Sequence, residues 1–194
     1  QLYENNGVLK REQVSEYIKD LGQNERKTLR DLGVKFGRYH IFLHRLIKPE
    51  AVSLRTLLWK NYNQKYFDLK PPTFGLNFLD DKNLKNKNFM LLCGFEKFSN
   101  FFVRIDILER LFMQIINSDS KTKEIKMIPE MLNLLGCSKE NFIKLLKNMN
   151  YKIIEKNDEI FFKYIPKKIN NKAFQKKSSK ESPFGVLKNL NLNY

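Results

Sequence analysis

Only two cysteines, Cys93 and Cys137, occur in the 194 residues, with one tryptophan, six prolines and eight glycines. Two thiols cannot build a disulfide framework, which excludes the stapled secreted folds and fits a reducing, cytoplasmic setting. No apolar run approaches the roughly 18 residues of a membrane span, so no membrane partner is expected. The opening residues, QLYENNGVLKREQ, hold neither an apolar signal-peptide core nor an initiator Met, and the sequence reads as a fragment of a longer chain. Phosphate-cradling motifs are missing: there is no G-x-x-x-x-G-K-[ST], no G-x-G-x-x-G, and no acidic pair after an apolar strand to hold a nucleotide-bound magnesium. The two histidines, His40 and His44, lie four apart, but the HIFLH around them is strand-like and no third ligand is nearby. No catalytic site, metal site or cofactor is expected within these residues.

Acidic side chains are also scarce. There are 21 Asp and Glu against 36 Lys and Arg, a formal charge of +15. A polyanion, nucleic acid first, is the partner such a surplus implies. The excess is uneven: residues 1–66 hold 13 basic and 7 acidic side chains and residues 166–194 hold 7 and 1, while the middle is near balance. Part of the lysine content reflects a composition rich in Lys, Asn, Ile and Phe. Arginine discriminates better, and five of the eight (Arg26, Arg30, Arg38, Arg45, Arg55) fall within thirty residues, where a planar fork toward phosphate or carboxylate is one reading.

With 42% hydrophobic residues the chain has material for a core, and its periods give a mainly α fold with small β elements, an α+β class. Residues 1–66 read as a helical, basic module. Helices are expected at 9–20 and 24–32, then a strand or irregular packed segment over 34–49. A helix opened by Pro49 follows, with Leu54, Leu57, Leu58 and Trp59 as its buried stripe. Residues 67–102 carry no clear period and read as a connecting region, with short strands around 89–92. Over 103–165 the pattern sharpens. A helix is expected at 104–117 and a polar loop at 118–124. A helix opened by Pro129 ends at Gly136, and a third is capped by Ser138. Two strands, 151–156 and 159–165, then form a hairpin joined by Asn157–Asp158. This order is that of a winged helix–turn–helix. Residues 166–194 form a basic, low-complexity arm, with Phe184, Leu187, Leu190 and Leu192 as a short amphipathic end.

Two constellations resemble binding surfaces. One is Lys35, Arg38, His40, Arg45 and Lys48, interleaved with Phe36, Tyr39 and Phe42, where cations would meet phosphates and aromatic faces would stack on unpaired bases. Phe36 and Phe42 individually read better as core. The other is the outer face of the 139–149 helix, with Lys139, Lys144 and Lys147 opposite an apolar stripe, the element that enters the major groove in a helix–turn–helix. Lys167 and Lys168 in the arm would add non-specific phosphate contacts.

The blocks ENNGVLKREQV (4–14), LGVKFGRYHIFLHRLIKPEAVSLRTLLW (32–59), VRIDILERL (103–111), PEMLNLLGCS (129–138) and SPFGVLKNLNL (182–192) resemble, in order and spacing, one family. It is the C-terminal part of the alphaproteobacterial superfamily-2 helicases, which are similar to the mitochondrial degradosome RNA helicase. His44 stands where that family has proline. The resemblance implies two RecA-like motor domains upstream that bind ATP and magnesium and hydrolyse ATP. The residues here would be an accessory region guiding RNA or DNA, with no ATP-site residue of their own. A free-standing winged-helix DNA-binding regulator and an RNA- or ribosome-associated protein are the alternatives.

Overall fold

In the computed structural model of the chain, residues 1–80, 86–117, 124–156 and 159–166 are described. They build three three-stranded antiparallel sheets of one design. In each, the second and third strands form a hairpin, and the third lies centrally, flanked by the first. The first unit runs β1 (Val8–Lys10), a 3₁₀ turn (Arg11–Val14), α1 (Ser15–Asp20), α2 (Gln23–Asp31), β2 (Val34–Phe36) and β3 (His40–Leu43), in sheet order β1-β3-β2. After a second 3₁₀ turn (His44–Ile47) come α3 (Pro49–Tyr62), β4 (Phe78–Asp80), α4 (Lys87–Leu92), β5 (Phe95–Phe98) and β6 (Phe101–Arg104), in order β4-β6-β5. The third unit is α5 (Ile105–Asn117), β7 (Ile125–Lys126), α6 (Pro129–Leu135), α7 (Lys139–Asn148), β8 (Tyr151–Lys156) and β9 (Glu159–Tyr164), in order β7-β9-β8.

The α+β class stands, but its distribution differs from the expectation. Residues 1–66 are not simply helical, because Val8–Lys10 and 34–43 pair into a sheet. Residues 67–102 are not a connector: β4, α4, β5 and β6 lie there, and 89–92 is helix rather than strand. Phe89, Met90, Leu92, Cys93, Phe95 and Phe102 form a core of their own with Val52. The expected 118–124 loop falls mostly, and the Asn157–Asp158 turn wholly, outside the described residues, as does the arm beyond Pro166.

The third unit follows its periods closely. Leu108, Leu111, Phe112 and Ile115 of α5 pack on Met131 and Leu135 of α6, Phe142, Leu145 and Leu146 of α7, and Tyr151 and Phe162 of the hairpin. Gly136 sits at φ 65°, the left-handed conformation that ends α6 without a Cβ penalty. Ser138 Oγ then accepts the Asn141 N–H at 3.3 Å and opens α7. Phe101 and Val103 of β6 and Tyr39 of the β2–β3 turn join this cluster, and Ile105 packs with Val8, Phe42 and Ile47. The three units therefore share apolar interior.

The expected stripe of α3 holds only in part: Trp59 packs against the core of Phe89 and Val52, but the three leucines do not. α3 buries Val52 and Thr56 and leaves Leu54, Leu57 and Leu58 at 58%, 54% and 59% exposure. The period of the helix is right, but the arginine at 55 draws the inner face toward itself. Arg55 Nη1 donates to the Leu46 and Leu92 carbonyls at 2.8 and 3.3 Å, and Nη2 donates to the Asn6 carbonyl. Among the described residues no helix is long and apolar enough to cross a membrane.

Candidate nucleic-acid interface

The cationic face of α7 follows from its packing. Phe142, Leu145 and Leu146 are fully buried, so the helical period turns Lys139, Lys144 and Lys147 outward, and all three are exposed. Beside them the β8–β9 hairpin presents a shallow groove of about 520 Å³, lined by Ile143, Lys147, Tyr151, Lys152, Ile153 and Glu155. Lys152 lies directly across from Lys163 in the sheet register, and both are exposed. Like charges directly opposite each other in a ladder cost stability. Alternation along the two strands was the sequence signal for this pair. The neighbouring cations are engaged within the protein: Lys126 pairs with Glu159, and Lys156 Nζ with Glu124 Oε2 at 2.7 Å. The Lys156 hydrogen bond holds the Glu124 carboxyl below its ordinary range, with the charges of Lys156 and Lys163 adding to it.

The first constellation does not assemble as its spacing implies. Lys35 on the edge strand β2, Arg38 in the β2–β3 turn, Arg45 in the 3₁₀ turn and Lys48 before α3 are exposed. His40 is 3% exposed and lies in the interior, out of reach of a surface strand. The aromatics are likewise committed to packing. Phe42 is buried, Phe36 is half-buried beneath Arg30 (5.8 Å to the ring centroid), and Tyr39 meets Phe112 edge-on at 4.4 Å between centroids. Arg38 lies over the rings of Tyr39 (6.0 Å) and Tyr164 (5.6 Å), so the first hairpin touches the last strand of the third unit. Lys167 and Lys168 lie outside the described residues.

Several arginine forks serve the backbone rather than a ligand. Besides Arg55, Arg26 donates from Nη2 to the Ile18 carbonyl at 2.7 Å and from Nε to that of Leu21 at 3.1 Å, tying α1 to α2. Arg11 donates to the Gly37 carbonyl at 2.7 Å.

Around His40 is a polar cluster that the sequence reading missed. Nδ1 lies 2.9 Å from Glu109 Oε1 and Nε2 lies 3.5 Å from Glu96 Oε2, while Lys10 Nζ lies 2.8 Å from Glu96 Oε1. Glu109 Oε1 also accepts the backbone N–H groups of His40 (2.7 Å) and Tyr39 (2.9 Å), and Oε2 accepts that of Arg38. Both glutamates are 5% exposed. Burial alone would lower the pKa of His40, but the hydrogen bonds to Glu109 and Glu96 outweigh it and raise the value above its ordinary 6.5. Burial likewise works to raise that of Glu96, and the bonds from His40 and Lys10 overcome it and lower it. His40, Glu96 and Glu109 come from three different units, on β3, β5 and α5, and Lys10 from β1 beside His40. The carboxylates sit on opposite edges of the imidazole, an ionic joint between the three units. The available signal was position: with Ile105 and Phe112, Glu109 continues the buried stripe of α5, and a carboxylate on such a stripe needs an internal partner.

Among the described residues no group of three His, Cys, Asp or Glu side chains is placed to hold a metal ion. Burial pushes the thiols of Cys93 and Cys137 up to about 12 and about 11, so neither is a ready nucleophile. No protein-family model, curated protein or solved structure matches the chain.

Proposed function

We propose that this chain is a nucleic-acid-binding accessory region of an ATP-dependent helicase, guiding a strand or duplex for RecA-like motor domains encoded upstream. In this reading each three-stranded unit is winged-helix-like. The order of strand, helix and hairpin, with the third strand central, supports it in all three, and the α6–turn–α7 pair supports it most fully in the third. α7 then takes the place of the groove-facing helix and β8–β9 that of the wing. One observation carries the proposal: Lys139, Lys144 and Lys147 are exposed on α7, and Lys147 lines a groove with Lys152, whose cross-strand partner Lys163 is exposed as well.

Such a surface binds phosphates by charge and counterion release, independent of sequence. The motor, with its ATP and magnesium, rests on the resemblance of the sequence blocks to the helicase family. The test compares the parent helicase with and without these 194 residues in unwinding and nucleic-acid-stimulated ATPase assays. A loss of unwinding with retained basal ATPase is the expected result; unchanged activity in both assays refutes the proposal. Tight preference for one duplex sequence would instead favour the free-standing regulator.

A further inference from the structure

Each of the three units turns from helix to hairpin in the same way. Gly33, Gly94 and Asn150 stand at the turn with φ of 93°, 85° and 65°. Their N–H groups donate to the carbonyls of Arg30, Leu91 and Lys147, three residues back. Their own carbonyls accept the N–H groups of His44, Ile105 and Ile165 at 3.4, 2.9 and 2.9 Å. The residues that follow them, Val34, Phe95 and Tyr151, pair with Leu43, Arg104 and Tyr164 at the closing end of each hairpin. This shared turn sets the units in register with one another, residue by residue.

In the third unit, the residues six and three before Asn150 and two and three after it are Lys144, Lys147, Lys152 and Ile153. Counted from Gly33, the same places hold Lys27, Arg30, Lys35 and Phe36. Lys27 and Arg30 stand on α2 and Lys35 on β2, and all three are exposed. Arg30 lies over the Phe36 ring, as Lys147 shares a groove with Ile153. None of the three cations forms an ion pair among the described residues. The fold alone does not impose the pattern. In the second unit these places hold Asn88, Leu91, Glu96 and Lys97, and Glu96 is buried against His40. Asp31 is the acid on the α2 face, one turn from Lys27, where the third unit has Asn148.

We propose that α2 and β2 form a second contact for the nucleic-acid backbone, with Lys27, Arg30 and Lys35 in the places that Lys144, Lys147 and Lys152 take in the third unit. The proposal rests on the reading of the α7 face as a phosphate-binding surface, and extends it to a second grip in the same chain. The lysines meet phosphate as point charges, and the Arg30 fork can take two phosphate oxygens at once. Once one surface is engaged, the other binds intramolecularly, so even a weak contact adds to the affinity of the whole. Asp31 makes this the weaker of the two.

The test titrates labelled single-stranded and duplex oligonucleotides of mixed sequence with the full chain over a range of salt. Lys27→Gln/Arg30→Gln/Lys35→Gln should lower the slope of log K against log salt by about 2 units on the single strand and about 2.7 on the duplex. A control, Lys65→Gln/Lys70→Gln/Lys87→Gln, removes the same charge from exposed lysines of the second unit and should lower the slope by less than about one unit. Asp31→Asn, which copies the third unit, should tighten binding about threefold at low salt, the effect of one carboxylate roughly 6 Å from a phosphate in water. A slope loss in the triple variant no larger than the control's overturns the proposal. Should the triple variant melt early, Asp31→Asn decides alone, and unchanged affinity overturns it. If Lys144→Ala/Lys147→Ala lowers the slope where the α2 variant does not, the α7 reading stands without this second contact. If the unaltered chain binds neither oligonucleotide, both fall together.

Discussion

Glu109→Gln is the substitution that most directly tests how the three units are held together. The side chain keeps its shape and loses its charge inside a site where four N–H groups converge on two oxygens. The glutamine carbonyl can replace Oε1 toward Tyr39, His40 N–H and His40 Nδ1–H. Its NH₂ then faces the Arg38 N–H, donor against donor, and a buried donor left unpaired costs about 1–3 kcal/mol. The buried imidazolium also loses one of its two counter-charges; removing one partner of a buried ion pair costs about 3–5 kcal/mol. These costs overlap, so the expected loss is about 4 kcal/mol, a large share of the 5–15 kcal/mol typical of a domain. At roughly 2–4 °C per kcal/mol for this chain length, the melting temperature should fall by about 10 °C. Thermal and urea unfolding followed by circular dichroism between pH 6 and 7 reads this directly.

The pH profile supplies the sign. A histidine whose pKa is raised on folding stabilises fully below its unfolded value, near 6.5, and that contribution is lost as pH climbs through the folded value. Glu96, lowered on folding, stabilises above its ordinary 4.5 and loses that contribution as pH falls through its folded value. The cluster therefore contributes most between these limits, and wild-type stability should decline on the alkaline side. Glu109→Gln should flatten that decline. A drop of less than about 3 °C, or an alkaline decline identical in both proteins, would refute the reasoning.

Three further outcomes follow from the packing and the charged face. Alanine at Lys144 and at Lys147 should each lower the slope of log K against log salt for nucleic acid by about one unit with no change in melting temperature, and a full slope in the double variant would reassign the face to solvent. Gly37→Ala would set a Cβ 2.4 Å from the Glu109 carboxylate carbon and 2.7 Å from the His40 carbonyl oxygen; the forced shift should destabilise by about 1–3 kcal/mol, and a neutral effect on urea unfolding would show that this approach is looser than it stands. Arg55→Ala should cost stability and leave nucleic-acid affinity unchanged, because its fork is taken up by three carbonyls; loss of affinity without loss of stability, by titration and melting of one sample, would return Arg55 to the binding surface.

How far the sequence foretells each part depends on the range of the interaction that forms it. α5, α6, α7 and the β8–β9 hairpin are legible because each buries one face over several turns or residues, and Gly136 and Ser138 act on their immediate neighbours. β1 and β2 have three residues each, too few for alternation to register, and they exist because Val8 and Val34 meet β3 across the chain. The threefold repetition is equally hidden: the sheets share a strand order while their sequences share no period, since a common topology requires apolar residues at matching places and not the same ones.

The errors over arginines and leucines share one physical source, which is that a residue type announces an interaction without naming the partner. A guanidinium donates to carbonyl oxygens and to phosphate oxygens with the same planar fork, so clustering of Arg26, Arg30, Arg38, Arg45 and Arg55 could not separate staples from ligand contacts. Arg26 and Arg55 proved to bind main-chain carbonyls, while Arg30, Arg38 and Arg45 are exposed. The leucines of α3 show the same ambiguity in apolar form. Their period specifies that one face of the helix seeks cover, and it is silent on whether the cover is this core or another segment. The lysines of α7 escape it, because Phe142, Leu145 and Leu146 fix the inner face from within the same ten residues and leave the outer one no alternative. A binding surface is therefore read most safely where the opposite face of its own element is already spoken for.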